Sequence, residues 1–460
     1  MSEKDDKKGM EAISQELIEK IKGLIRDSNI QGLRRLVDTM KPADMADLVE
    51  HLNPDERLFI FKVLEPDGAG EVLMEVEPPI QESILKKIDN KSLSEIVETL
   101  DSDDAADLVG YLPEDRAQEI IESVEKDVSE ELKKLLPYPE DSAGGIMALE
   151  FVAVKADATI RDAINMIREK KDEIENLYHI WVVDNNGKLV GVVSIKDLLL
   201  EPRDTRVKEI MNKDVIYVNV YTDQEEVARL FKKYDLVSIP VVDENHKLVG
   251  RITHDDIIDV IEEEVDEDMS MMAGIMDQEI AEVSPLKISK ARLPWLIVAF
   301  VGELVSAMVI NRFEASIQKI IALSFFFPVI MALGGATSQQ AAIIVVRGIA
   351  TGDISVLSLG KRILVEIKSS MIVGMILGIM LGIVVALWLS NWILGAVVAA
   401  ALIVVILNAG LIGSAVPVLL YKLNIDPAFA TGPFVATTND ILGLLVYLSL
   451  VTWFLRTTAV

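Results

Sequence analysis

An aspartate, Asp440, interrupts the run GPFVATTNDILGLLVYL (Gly432 to Leu448), which is otherwise long and apolar enough to cross a bilayer. A carboxylate at that depth costs about 2.5–3.5 kcal/mol on insertion scales, so something must offset it, and a cation is the natural candidate. Counted from the start of the span near Phe429, Asp440 lies about 11 residues in, or ~16 Å at 1.5 Å per residue. That is too deep for a short side chain to reach the interface. Gly432, Ala436, Asp440, Gly443 and Tyr447 recur at intervals of four and three and so share one helical face, while Phe434, Ile441, Leu445 and Leu448 fall on another. The pattern predicts a small, polar side turned to an ion path, with Asn439 beside the acid, and a greasy side turned to lipid.

The elements that must position Asp440 are further apolar windows. Five spans read from the sequence, at roughly 293–310, 320–346, 370–389, 392–420 and 429–455. The second carries GGATSQQ (Gly334 to Gln340), which offers Gly334, Gly335 and Gln340 as pore-lining candidates; the fourth carries Asn408, Ser414 and Pro417. Small residues and single Asn side chains in spans commonly serve helix packing and interhelical hydrogen bonds. Glu303, deep in the first span, is either a functional acid or one satisfied by a neighbouring helix.

Charge divides the chain. Before residue 293 there are 37 Lys and Arg against 67 Asp and Glu; after it there are 8 against 6. An acidic excess of that size argues against a nucleic-acid partner, which needs a basic patch, and suits an aqueous compartment and cation binding. With no cysteine there is neither a disulfide framework nor a thiolate metal site. The start MSEKDDKKGM has no apolar segment behind it, so no cleaved export signal is expected and the acidic half should stay in the cytoplasm. An odd number of spans then puts the C-terminus outside. Lys287, Lys290, Arg292, Arg347, Lys361, Arg362 and Lys422 would flank the inner side and Arg312, Lys319 and Arg456 the outer, in agreement with the positive-inside rule.

The acidic half contains two repeats. ADMADLVEHLNPDER (Ala43 to Arg57) is echoed by DDAADLVGYLPEDR (Asp103 to Arg116), the mark of a helical superhelix. IWVVDNNGKLVGVVSIKDLLL (Ile180 to Leu200) matches IPVVDENHKLVGRITHDDIID (Ile239 to Asp259) at an offset of 59, each a strand, a turn, a second strand and a helix. This second repeat resembles a tandem pair of CBS domains, modules that bind adenine nucleotides or regulate an attached transporter or enzyme. No CxxC, HExxH, glycine-rich phosphate loop or Ser/His/Asp order is present, and His51, His179, His246 and His254 share no metal-ligand spacing, so an enzyme is not expected. The expected architecture is a multi-domain membrane protein: an all-α helical-repeat domain (1–135), α+β tandem CBS domains (136–262), a connecting plug helix (263–292) and an α-helical transmembrane domain of five spans (293–460).

An acidic helical repeat, a CBS pair and five spans ending in DPAFATGPFVATTNDILGLLVYL together resemble the MgtE family of magnesium channels and transporters, from about residue 30 onwards. The resemblance implies a homodimer in the inner cell membrane, with a pore for hydrated Mg2+ between the membrane halves. It matches the family's pore aspartate to Asp440 and the acid at its cytoplasmic mouth to Asp426. It also implies regulatory Mg2+ held between cytosolic domains, by residues matching Asp103, Asp107, Asp235, Asp256, Asp259, Glu264, Glu267 and Asp268. Ala336 and Ser338 stand where many members have Asn and Gly, and Gly432 where an Asn can occur, so fewer polar side chains would face the ion path. ATP is a candidate ligand of the CBS pair, and the residues leave its binding open. Two other readings compete: a proton- or sodium-coupled exchanger using Asp440 or Glu303, and a membrane-anchored CBS sensor that moves no ion.

Overall fold

Prolines and side-chain caps cut the first part of the chain into short helices. The computed structural model describes residues 14–171, 176–273, 275, 285–351, 359–423 and 425–457. Its first ten helices are α1 (Gln15–Arg26), α2 (Ile30–Val37), α3 (Pro42–Glu50), α4 (Pro54–Phe61), α5 (Pro66–Glu75), α6 (Pro78–Leu85), α7 (Asn90–Val97), α8 (Ser102–Gly110), α9 (Glu114–Ser123) and α10 (Lys126–Leu135). From α2 to α10 they start at residues 30, 42, 54, 66, 78, 90, 102, 114 and 126, an interval of twelve throughout. Proline opens α3 to α6, where its missing N–H costs no helical bond. Asn29, Asn53 and Asp89 cap α2, α4 and α7 through their side chains. Helices two apart pack together, α3 on α5, α5 on α7, α7 on α9 and α8 on α10, which is the superhelix expected. The repeat seen in the sequence is one instance of this shorter period: α3 with α4, and α8 with α9, are five intervals apart.

The second repeat forms two matching three-stranded sheets. The first holds β1 (Ala153–Lys155), β2 (His179–Val183) and β3 (Leu189–Ser194), with helices α11 (Ile160–Glu169) and α12 (Ile195–Leu200); α13 (Val207–Ile210) follows. The second holds β4 (Val218–Asn219), β5 (Ser238–Val242) and β6 (Leu248–Thr253), with α14 (Gln224–Tyr234) and then α15 (His254–Ala273). In each the outer pair is parallel and the hairpin antiparallel. The offset of 59 reappears as a contact: His179 Nδ1 lies 2.9 Å from Ser238 Oγ, and Lys188 bridges to Lys247. Residues equivalent under the repeat thus meet across a local twofold axis. These domains and the helical repeat belong to one unit, Met1–Ile261; the second sheet's domain shares a hydrophobic core with the helical repeat, from Ile21 and Leu48 to Ile239 and Ile257, while the first has its own around Val154, Ile180 and Val193.

The second unit, Glu262–Val460, is helical. After α15 it contains α16 (Pro285–Arg312), α17 (Glu314–Lys319), a 3-10 turn at Ile321–Phe326, α18 (Phe327–Ala350), α19 (Leu359–Trp388), α20 (Trp392–Lys422), a 3-10 turn at Pro427–Ala430 and α21 (Gly432–Thr457). Among the described residues five stretches are long and apolar enough to cross a membrane: Ile288–Arg312, Ile321–Ala350, Leu359–Trp388, Trp392–Lys422 and Phe434–Phe454. α20 is the hub, packed on α18, α19 and α21, and α16 leans on α21. The third span starts at Leu359, eleven residues ahead of the expected 370. Its charged opening stays helical because Glu366, buried against the bundle, is ion-paired to Arg362 at 2.9 Å. α15 runs unbroken through the expected boundary at 262/263, and residues 274 and 276–284 of the expected connecting segment lie outside the described residues.

Candidate functional site

The approach to Asp440 is set by a cap and a glycine. Asp426 Oδ1 accepts from Ala428 N at 2.8 Å and so opens the 3-10 turn, and Thr431 Oγ1 closes it by donating to Ala428 O at 2.7 Å. Gly432 then turns the chain into α21 at φ 59°, in the left-handed region where glycine is unstrained and Asn is the best-tolerated substitute. Because the helix starts there, Asp440 is eight positions in, ~12 Å, rather than eleven.

Asp440 is half-buried, and its partner is Glu303 of α16, a carboxyl within hydrogen-bonding reach. Gly302 lets the two helices close: a Cβ there would collide with Thr437 Cγ2 of α21. Glu303 is itself exposed on the surface of the unit. Two acids from separate helices therefore adjoin at membrane depth, an arrangement that is repulsive unless a proton or a cation lies between them.

Behind Asp440, Asn439 is fully buried, neither of its amide atoms is hydrogen-bonded among the described residues, and it packs on Gly334, where a Cβ would come within 2.8 Å of Asn439 Nδ2. Gly334 therefore makes room for Asn439. Gly335 and Ala436 are half-buried and Gln340 is exposed; Asn408 has a buried Nδ2 without a partner. The expected stripe on the fifth span needs correcting beyond Asp440. Tyr447 is wholly buried and donates its hydroxyl to Leu323 O at 3.1 Å, so it holds α21 to the turn before α18 and faces no ion path. Leu448, expected toward lipid, is buried as well, whereas Phe434 and Leu445 are exposed as the pattern predicts.

Near the foot of the same unit, Asp268 of α15 is pushed up to about 6, first by burial and then by the charges of Asp426 and Glu264. Three of the expected acids are thereby brought together; Glu267 is exposed on the next position.

In the first unit, α8 begins with a concentration of acids. Asp103 is buried and its carboxyl held well above the usual range, first by desolvation and then by Asp256, Asp104, Glu150 and Asp101. Asp104 is pushed up to about 7 by burial and by Asp256, Asp101, Asp259 and Glu150. Burial also raises Asp256, against hydrogen bonds from Thr253 N and Oγ1, both at 2.9 Å, which favour its charged form. Glu150 is anchored by Ser102, whose N and Oγ donate at 3.1 and 2.9 Å, and desolvation raises it too. Of the expected regulatory residues, Asp103, Asp256 and Asp259 thus meet. Asp107 is exposed one turn further along α8, and Asp235 is exposed as the left-handed C-cap of α14, φ 50°. Asp101, Asp104 and Glu150 are additions; the doubled acid in DSDDAADLV was the available signal for the first two. Among the described residues no three His, Asp or Glu side chains converge tightly enough to grip a bare metal ion. Mg2+, which keeps several waters and needs only one or two carboxylates, does not require such a cage.

Comparison with known proteins follows this layout. A divalent cation transporter family, MgtE, matches residues 327–450, the MgtE intracellular N domain matches 40–141, and CBS domains match 143–204 and 207–263. The magnesium transporter MgtE of Thermus thermophilus is 37% identical over 321 residues, 69% of this chain and 71% of that protein. The chain belongs to the MgtE family. The magnesium transporter MgtE of Bacillus subtilis is similarly 34% identical, over 71% of this chain and 73% of its own length. The cytosolic domain of the Mg2+ channel MgtE, solved in complex with ATP, covers 53% of this chain and all of that one, at 37% identity and a TM-score of 0.51. Within the MgtE family the order of a helical N domain, a CBS pair and apolar helices is thereby accounted for, and the relatives are named as transporters.

Proposed function

We propose that this MgtE-family chain is a magnesium-selective channel that admits Mg2+ down its electrochemical gradient, as a homodimer in the inner cell membrane. The N-terminal domains lie in the cytoplasm and the C-terminus outside. One observation carries this reading: Asp440, deep in an apolar helix, is met among the described residues by a second acid, Glu303, and not by a base. A fixed basic neighbour would have neutralised it; two acids instead leave a place for a divalent ion. Because Mg2+ dehydrates reluctantly, Asp440 of each subunit holds the hydration shell and not the bare ion. An inside-negative potential drives entry at about 2.3 kcal/mol per charge per 100 mV.

Internal Mg2+ closes the channel. The carboxyls of Asp103, Asp104, Glu150 and Asp256 are held in a poorly solvated group beside exposed Asp259, and a cation with its waters would relieve their repulsion. Half-buried Asp268, with Glu264 and exposed Asp426, forms a second group of acids at the cytoplasmic mouth, where bound Mg2+ would tie α15 to the start of α21. ATP binds the CBS pair and tunes this response. Mg2+ uptake by proteoliposomes tests the pore: Asp440→Ala should reduce flux to background while leaving a folded protein, and undiminished uptake would refute the assignment.

The contact between Asp440 and Glu303 also favours a second reading, exchange in which the pair passes a proton in one direction as the metal moves in the other. Flux that depends on an imposed pH gradient at fixed potential would select it.

A further inference from the structure

Away from Asp440, the two ends of the α18, α19 and α20 bundle differ in chemistry. At one end Trp388 and Trp392 lie exposed, and Trp388 packs against Phe325 and Phe326, as aromatic side chains do at a membrane interface. At the other, Val345 of α18, Leu359 of α19 and Val418 of α20 form a small apolar cluster with Tyr421. Around that cluster, within a few residues of it in each helix, stand Arg347, Lys361, Arg362 and Lys422. Arg362 is committed to Glu366. Arg347, Lys361 and Lys422 are exposed, and among the described residues none has a carboxylate partner. Next to them the bundle exposes apolar surface: Leu364 and Val365 on α19, and Leu419 on α20.

We propose that this end of the bundle binds an anionic phospholipid, its phosphodiester held by Arg347, Lys361 and Lys422 and its acyl chains lying on Leu364, Val365 and Leu419. Unneutralised cations select a negative headgroup, and the apolar strip beside them selects a lipid over a free phosphate. Basic clusters between spanning helices recognise lipid headgroups in this way, whereas positive charge that only fixes topology calls for no particular lipid.

The full-length protein, purified from mixed phosphatidylglycerol and phosphatidylcholine, is examined by native mass spectrometry for retained lipid. Wild type should retain phosphatidylglycerol in preference. Each cation removed should weaken that retention about fivefold, so R347Q/K361Q/K422Q should lose it on the order of a hundredfold. R312Q/K319Q, which removes exposed cations elsewhere in the unit, should retain it as wild type does. If the triple variant does not fold, K361Q alone should show the fivefold loss. Unchanged retention in the triple variant or in K361Q overturns the proposal, as does equal loss in R312Q/K319Q. Displacement of the lipid by an equal concentration of inorganic phosphate would overturn the lipid assignment.

Discussion

Replacing Asp104 by Asn should stabilise residues 1–261 when divalent cations are absent, by an amount that grows as pH rises from about 4 to about 7 and is complete above it. Burial and the surrounding carboxylates push Asp104 to about 7. An unfolded aspartate titrates near 4, and the gap, at about 1.4 kcal/mol per pH unit, sets an upper limit of about 4 kcal/mol on the cost of the ionised group. Between those two values the folded unit keeps a proton that the unfolded chain has lost, so stability falls as pH rises through the window and the cost is complete above it. Relaxation of Asp103 and Asp256 next to the ionised group should leave about half of that limit, ~2 kcal/mol. For a unit of this size that amounts to a rise in Tm of about 4–8 °C. Thermal unfolding of residues 1–261 followed by circular dichroism in EDTA measures it. At pH 5 the folded side chain is neutral while the unfolded one is already largely ionised, so about a third of the full difference should be present; at pH 8 the variant should melt higher by the whole of it, and millimolar Mg2+ should narrow the difference by stabilising wild type more. A difference that is the same at pH 5 and pH 8, or a variant that melts lower at pH 8, would refute the reasoning.

Four other outcomes are expected. Gly302→Val should push α16 away from Thr437 and part Glu303 from Asp440, lowering Mg2+ flux in proteoliposomes at least tenfold with little change in the amount of folded protein. Gly334→Val should collide with Asn439 and cost about 1–3 kcal/mol by overpacking, read as a lower unfolding temperature in detergent. Tyr447→Phe should leave the Leu323 carbonyl without its donor and cost about 1 kcal/mol, while flux persists, since the ring lies in the packing and not on the ion path. Ser102→Ala should remove one of the two donors to Glu150 and free the N–H of Leu149, destabilising residues 1–261 by about 1–2 kcal/mol in urea.

What could be read from the sequence was what depends on neighbours along the chain. The 59-residue offset fixed two like domains, and because duplicated units pack symmetrically it returned as contacts between equivalent residues, His179 with Ser238 and Lys188 with Lys247. The twelve-residue interval of α2 to α10 is carried by buried apolar pairs, Leu48/Val49, Ile60/Phe61, Val72/Leu73, Ile84/Leu85 and Ile96/Val97 among them, whose identities change at each recurrence, so that matching residues betray only the one pair of helix couples. Helical spacing within the fifth span grouped Asp440 with Ala436, and both are half-buried. It failed at Tyr447 and Leu448, since spacing defines faces but not what covers them, and α21 is packed by α16, α18 and α20 together. The partner of Asp440 was the hardest feature to foresee. Glu303 lies 137 positions away in the chain, and its approach depends on a glycine just before it, a residue that in a spanning helix ordinarily signals packing and nothing more. The same close packing that any helix pair can use here sets two acids side by side, so the chemistry of the site comes from which residue follows the glycine.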